Sequence, residues 1–365
     1  MILEMIWHTN ASLIQTLSPP EHPYFCQAYD FMIAWLHGKE EFTLHTSGST
    51  GTPKDILIRR SQLTSSALMT GAALDLQKGT RALVCLNIGY IAGIMMLVRG
   101  MELGWELSII EPSSNPLLNF EEPDFDFVAM VPLQLSTCLS DEMTGIEVNN
   151  LGKILLGGAP VGIHLQKQID LLTVPVYQSY GMTETVSHVA LRKLNGSAGE
   201  NDYNVLPGIT FGLDERGCLF FSGAVTNEEK IQTNDLAKIT SENTFTWLGR
   251  VDNVINSGGV KIILDKVDEV VAEVLYDSGY ENNFFSWFAA DEKLGQKLIL
   301  IIQKSEENIA VELLLDEIRK RISTYETPKH VYFVKEFIKT PTDKIDKRRT
   351  AFEIFKKISD KSSKP

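Results

Sequence analysis

The 365 residues include only four cysteines, Cys26, Cys85, Cys138 and Cys218, far apart and without CxxC spacing. That argues against a disulfide framework; the four read as reduced, mostly buried thiols of a cytoplasmic protein. Positive charge is also short, with 34 basic against 47 acidic residues and a net charge of −13. Such a chain repels phosphate backbones at long range, which disfavours a nucleic-acid binder but leaves room for a local basic site for a small phosphate ligand. Long apolar runs are missing. The longest, Ala82 to Val98, is interrupted by Asn87, Gly89 and Gly93 and closed by Arg99. That suits a buried strand followed by a buried helix better than a membrane span. Met1–His8 holds Glu4 and no basic n-region, which argues against a signal peptide. Apart from the polar tail Lys361–Pro365 there is no repeat or low-complexity tract.

What is present fits a globular chain. Apolar residues make up 44% and charged residues 22%, enough for a sizeable core. The length suggests two domains. Residues 1–40 read as a helical leader ending near His37-Gly38. Short apolar runs at Arg81–Leu86, Trp105–Ile110, Phe125–Val131, Lys153–Leu156 and Val174–Gln178 then alternate with helix-like Ser61–Leu74, Ile91–Leu103 and Val161–Leu172. Alternation of this kind predicts an α/β fold with much parallel sheet. From Leu206 the texture turns glycine-rich and short-stranded, a β-rich subdomain over 206–251. After Asp252 come helix Val267–Tyr276, strand Leu298–Gln303 and amphipathic helix Ala310–Ile322. The expected layout is a large N-terminal domain, 1–251, with mixed and parallel sheets, and a smaller α+β domain, 252–365.

Six strings carry chemistry. His45-Thr46-Ser47-Gly48-Ser49-Thr50-Gly51-Thr52-Pro53-Lys54 groups hydroxyls, glycines and a lysine that could cradle a phosphate chain. It lacks Walker A spacing, which argues against a GTPase or kinase. Gly157-Gly158-Ala159 follows an apolar run, where glycines let a flat base lie against the backbone. Tyr180-Gly181-Met182-Thr183-Glu184-Thr185 is expected just past a strand end, where α/β folds hold ligands. Thr233-Asn234-Asp235-Leu236-Ala237 and Leu248-Gly249-Arg250-Val251-Asp252 supply a carboxylate suited to a vicinal diol. Lys339-Thr340-Pro341-Thr342-Asp343-Lys344 lies near the end.

In this order the strings resemble those of the adenylate-forming superfamily, which includes acyl-CoA synthetases, luciferase and peptide-synthetase adenylation domains. The resemblance implies ATP, Mg²⁺ and CoA as ligands and a small carboxylic acid as substrate. By the same resemblance Thr46–Gly51 and Lys54 hold phosphates, Gly157–Ala159, Tyr180 and Gly181 hold adenine, and Thr183 bonds the α-phosphate. Glu184 holds the metal, Asp235 and Arg250 hold ribose, and Lys344 is catalytic. Asp252 is the hinge of a mobile C-terminal domain, Ser257-Gly258-Gly259 lines the CoA route, and Tyr90, Ser187 and His188 form the acyl pocket.

Three positions depart from the pattern. Asn234 and Asp343 replace glycines, and Lys266 replaces an acidic residue. Asn234 is expected to take the left-handed turn of the missing glycine. The short front, with Val131-Pro132-Leu133-Gln134-Leu135 and Ser257-Gly258-Gly259, most resembles the o-succinylbenzoate–CoA ligases of menaquinone biosynthesis. Another aryl or aliphatic acid, a carrier-protein acceptor, and a nucleotide-binding protein without activity stay open. So does the oligomeric state, a homodimer included.

Overall fold

The computed structural model describes residues 6–45, 55–196, 201–280, 283–304, 309–340 and 345–362. The chain divides into two compact units. The first comprises Met1–Asp214, Leu219–Thr233 and Ile239–Thr246, and the second Glu215–Cys218, Asn234–Lys238 and Trp247–Pro365.

The leader is not all helix. Strand β1 (Ile6–Thr9) precedes helix α1 (Pro23–Leu36), because Ile6 and Trp7 pair antiparallel with Ile110 and Ile109. A hairpin follows, β2 (Glu41–His45) with β3 (Asp55–Arg59). Then come α2 (Arg60–Ala73), β4 (Arg81–Val84), α3 (Ile91–Leu103), β5 (Glu106–Ile110), β6 (Phe127–Met130), α4 (Pro132–Ser140), α5 (Glu142–Glu147), β7 (Ile154–Leu156), α6 (Ile163–Ile169) and β8 (Val176–Gly181). Strands β5, β4, β6, β7 and β8 lie side by side in that order and run parallel. Antiparallel β9 (His188–Lys193) and β10 (Tyr203–Val205) extend the sheet past β8.

Both faces of the parallel strands are covered, so their sequences read as continuous apolar runs rather than alternating ones. Ala82, Val84, Phe127, Ala129 and Leu155 face a core with α1, α2 and α3. The intervening Leu83, Val128, Met130, Ile154 and Leu156 face a core with α4 and α6. Each fully buried Leu, Ile or Phe contributes about 1.5–3 kcal/mol. The 206–251 region is β-rich as expected, with β11 (Thr210–Leu213), β12 (Cys218–Ser222), β13 (Ile231–Ser241) and β14 (Thr244–Arg250).

The second unit holds the hairpin β15 (Val254–Ser257) and β16 (Val260–Ile263), helix α7 (Leu264–Asp277), strands β17 (Phe284–Asp291) and β18 (Gly295–Gln303), helix α8 (Val311–Arg321), β19 (His330–Val334) and α9 (Lys347–Ser362). Helices α7 and α8 bury Val267, Val271, Leu314 and Ile318 against β18, an α+β arrangement. All four cysteines are free thiols; Cys26 is half-buried and the others buried. Among the described residues no helix is long and apolar enough to cross a membrane.

Candidate active site

Parallel strands deliver their following loops to one edge, and in the first unit that edge holds a cavity of about 550 Å³. The segments after β4, β6, β7 and β8 line it: Leu86, Asn87 and Tyr90, then Val131, then Gly157 and Gly158, then Gly181 to Thr183 and Val186 to His188. Ligands bind at the carboxyl ends of such strands.

Backbone crowding explains one of the glycines and a left-handed backbone angle another. A Cβ at Gly181 would stand 2.2 Å from the Ser187 carbonyl oxygen, and Gly158 has φ +81°. Strand β8 runs through Tyr180 and Gly181, so the motif does not begin past the strand end as expected. Pairing with β9 continues, with a register irregularity between those two residues. The next turn is tied by buried Thr185. Its hydroxyl accepts from the Met182 N–H at 3.0 Å and lies 2.8 Å from the Ser187 carbonyl. Val186 is then held at φ +66°, buried in the wall. A β-branched residue there carries strain of about 1–3 kcal/mol, a frequent feature of functional sites.

Gln134 holds another wall. Its Oε1 accepts from the Val131 N–H at 3.1 Å, and its Nε2 donates to the carbonyls of Cys85 and Ser113 at 3.2 and 2.9 Å. The glutamine of Val-Pro-Leu-Gln-Leu thus fixes the loop after β6, and its requirement is structural.

The cavity's one charged side chain among the lining residues is Arg99 of α3, only 2% exposed. Its Nε donates to Thr70 Oγ1 and its Nη2 to Ser187 Oγ, both at 3.3 Å. Among the described residues no carboxylate pairs with it. Burial lowers its pKa to about 10, so it stays charged at neutral pH. His188 lies beside it, 4% exposed, with Nε2 3.2 Å from Thr70 Oγ1 and Nδ1 3.4 Å from Ser187 Oγ. Thr70 donates its proton to the Ser66 carbonyl at 2.9 Å. That leaves Thr70 an acceptor and assigns the imidazole proton to Nε2. Burial, and next the Arg99 charge, push the His188 pKa down to about 3. The histidine is a neutral hydrogen-bonding group, and the single positive charge is Arg99.

Of the residues singled out from sequence, Tyr90, Gly157, Gly158, Gly181, Thr183, Ser187 and His188 share this cavity. Ala159 and Glu184 are exposed. The Tyr180 ring sits among Tyr203, Phe221 and Phe245, with centroids 5.4–5.6 Å away. Thr46, Ser47, Gly48, Ser49, Thr50, Gly51, Lys54 and Lys344 lie outside the described residues. Arg99 and Thr70 were not singled out. The signal for Arg99 was a lone charge inside the apolar run 91–103, where a solvated arginine has no place.

In the second unit, Arg250 lies 3.7 Å from Asp235 and 3.0 Å from Asp252. Its backbone N–H donates to Asp265 at 2.8 Å. Asn234 does not take the left-handed turn expected of it. It belongs to extended β13, where its side chain accepts from Arg216 at 3.2 Å. Ser257 is buried at the end of β15. Gly258 and Gly259, at φ +61° and +86°, form the two-residue loop that such hairpins require. Lys266 pairs with Glu326 at 3.4 Å.

Comparison with known proteins adds four observations. Residues 41–211 match the family described as "AMP-binding enzyme". A crystal structure of an acyl-CoA synthetase (AMP-forming)/AMP-acid ligase II-like protein from Dyadobacter fermentans is 59% identical. The match covers 96% of this chain and all of that one, with a TM-score of 0.69. A 2-succinylbenzoate–CoA ligase of Bacillus cytotoxicus is 24% identical over 349 residues, 85% of this chain and 71% of the relative. The o-succinylbenzoate CoA synthetase (MenE) from Bacillus subtilis, in complex with the acyl-adenylate intermediate OSB-AMP, is 22% identical with a TM-score of 0.67. That match covers 83% of this chain and 67% of the other, a likeness of fold.

Proposed function

This chain belongs to the AMP-binding, adenylate-forming enzymes as an AMP-forming acid–CoA ligase, and we propose that its acid is 2-succinylbenzoate, activated for menaquinone biosynthesis. The observation that carries this reading is Arg99: a buried guanidinium with no carboxylate partner among the described residues, on a cavity otherwise walled by Leu86, Ile91, Met130, Leu155 and Val186. A buried charge needs a partner. An aromatic acid with two carboxylates supplies one. Its ring meets the apolar wall, one carboxylate pairs with Arg99, and the other is left for activation. The relative named for 2-succinylbenzoate supports the same acid.

In the first step the free carboxylate attacks the α-phosphorus of ATP, giving acyl-AMP and pyrophosphate. In the second the CoA thiol attacks the acyl carbon and AMP leaves. No protein nucleophile is needed. Lys54 and Lys344 offset the negative charge that gathers at the α-phosphate, Thr183 bonds a phosphate oxygen, and the Asp235 carboxylate accepts both ribose hydroxyls with Arg250 beside it. The hydroxyl of Thr183 and the exposed carboxylate of Glu184 are hard oxygen donors, which suits Mg²⁺ carried on ATP. When bound, the ion neutralises phosphate charge. Between the steps the unit beyond Asp252 turns, withdrawing Lys344 and bringing Ser257-Gly258-Gly259 forward.

The test is pyrophosphate release from ATP with a panel of acids. It should be strongest with 2-succinylbenzoate and much weaker with 4-oxo-4-phenylbutanoate, which lacks the ring carboxylate. Equal turnover of the two would remove 2-succinylbenzoate as the assigned acid.

A further inference from the structure

The described residues that flank Lys344 in the chain form one braced base. Lys339 and Ile345 form an antiparallel bridge. The Asp346 N–H donates to the Ile338 carbonyl at 2.8 Å, and the Ile338 N–H donates to Thr350 Oγ1 at 3.1 Å. Asp346 also caps α9, its carboxylate accepting from the Arg349 N–H at 2.9 Å. Ile345 packs with Phe337 against Phe285 and Ala351.

The next residue, Lys347, fastens this base to the rest of the unit. Its Nζ lies 3.1 Å from Asp268 Oδ2 and 5.7 Å from the centre of the Phe285 ring. The other Asp268 oxygen accepts from the Ser286 N–H at 2.6 Å. Asp268 is on the second turn of α7, which starts directly after the hairpin holding Gly258 and Gly259. One ion pair therefore ties the Lys344 loop to the helix that follows the other working loop. Lys344 stands three residues before Lys347, and three residues span at most about 11 Å. Burial raises the Asp268 pKa against the pull of Lys347 and the bonds from Ser286.

We propose that Lys347, held by Asp268, is a positioning residue for the adenylation step: it fixes the base of the loop so that Lys344 reaches the reacting phosphate. This rests on the function proposed for Lys344 above. The CoA step, in which Lys344 takes no part, does not need it.

The test measures both half-reactions on the full chain: pyrophosphate release from ATP and 2-succinylbenzoate, and thioester formation from supplied acyl-AMP and CoA. Lys347→Met is expected to lower kcat for adenylation about 10- to 100-fold, the usual cost of misplacing a reacting group by about 1 Å, while thioester formation holds. Lys347→Arg should restore most of the loss. Asp268→Asn, which keeps an oxygen for the Ser286 N–H, should show the same split and serves if Lys347→Met folds poorly. The inference is overturned if both half-reactions fall together, or if neither falls in these variants while Lys344→Ala abolishes adenylation; the second result leaves the proposed function intact. If Lys344→Ala adenylates like the wild type, that function loses its catalytic lysine and this inference goes with it.

Discussion

Replacing Arg99 by Met separates the cost of a buried charge from its use. The guanidinium is 2% exposed, and burial lowers its pKa well below its ordinary value, to about 10. A depression of that size means that keeping it charged in the folded chain costs roughly 3 kcal/mol. Met fills much of the same volume without charge. The variant gives up hydrogen bonds to Thr70 and Ser187, so only part of the cost returns, and the net change is a gain of about 0–2 kcal/mol. Activity should move the other way. A charge-assisted bond to a substrate carboxylate is worth about 1.5–3 kcal/mol, so kcat/KM for 2-succinylbenzoate should drop roughly 10- to 150-fold. Turnover of 4-oxo-4-phenylbutanoate, with no second carboxylate, should barely change. Denaturant unfolding gives the first quantity and pyrophosphate release with the two acids gives the second. An equal loss on both acids, or a destabilised variant, would refute the reasoning, because Arg99 would then be a structural pillar rather than a receptor.

Further outcomes follow from the same geometry. His188 is neutral when folded, with a pKa near 3 against 6.5 for the free group. Its depressed pKa means the unfolded chain takes the proton first, so this stability is complete above about pH 6.5 and is lost as pH falls toward 3. Between about pH 6.5 and 5 the loss is about 2 kcal/mol; denaturant midpoints for wild type and His188→Gln should diverge by that amount, and parallel curves would contradict a buried neutral imidazole. Thr185→Ala leaves the Met182 N–H without its acceptor and should cost about 1–3 kcal/mol in unfolding free energy. In Gly181→Ala the new Cβ would meet the Ser187 carbonyl at 2.2 Å. Adenylation should be largely lost, and a variant with normal pyrophosphate release would show that the turn tolerates a shift.

Much of this was legible in the sequence because strand-forming runs buried on both faces leave continuous apolar strings, and turns at their ends leave glycines and hydroxyls. Hence Gly157, Gly158, Gly181 and Thr183 could be picked as neighbours of one cavity. Strand β1 was missed because four residues are too few to show a period, and only pairing with β5 makes them a strand. The angle of Val186 is invisible in sequence, since valine predicts the opposite backbone region. Asn234 was assigned by analogy with a glycine turn, and strand pairing overrode it. Arg99 looked like the end of an apolar run; its neighbour relation to Ser187 and His188 is long-range. The Asp268–Lys347 pair joins residues 79 apart, and neither stands out from the surrounding charges.

The most direct measurement is the mass of the species formed before CoA is added. With ATP, Mg²⁺ and 2-succinylbenzoate alone, the account predicts an enzyme-bound acyl-adenylate and one pyrophosphate released for each. Adding CoA should convert that species to the thioester and free AMP. Formation of ADP and phosphate, or of no acyl-adenylate with any acid, would contradict it.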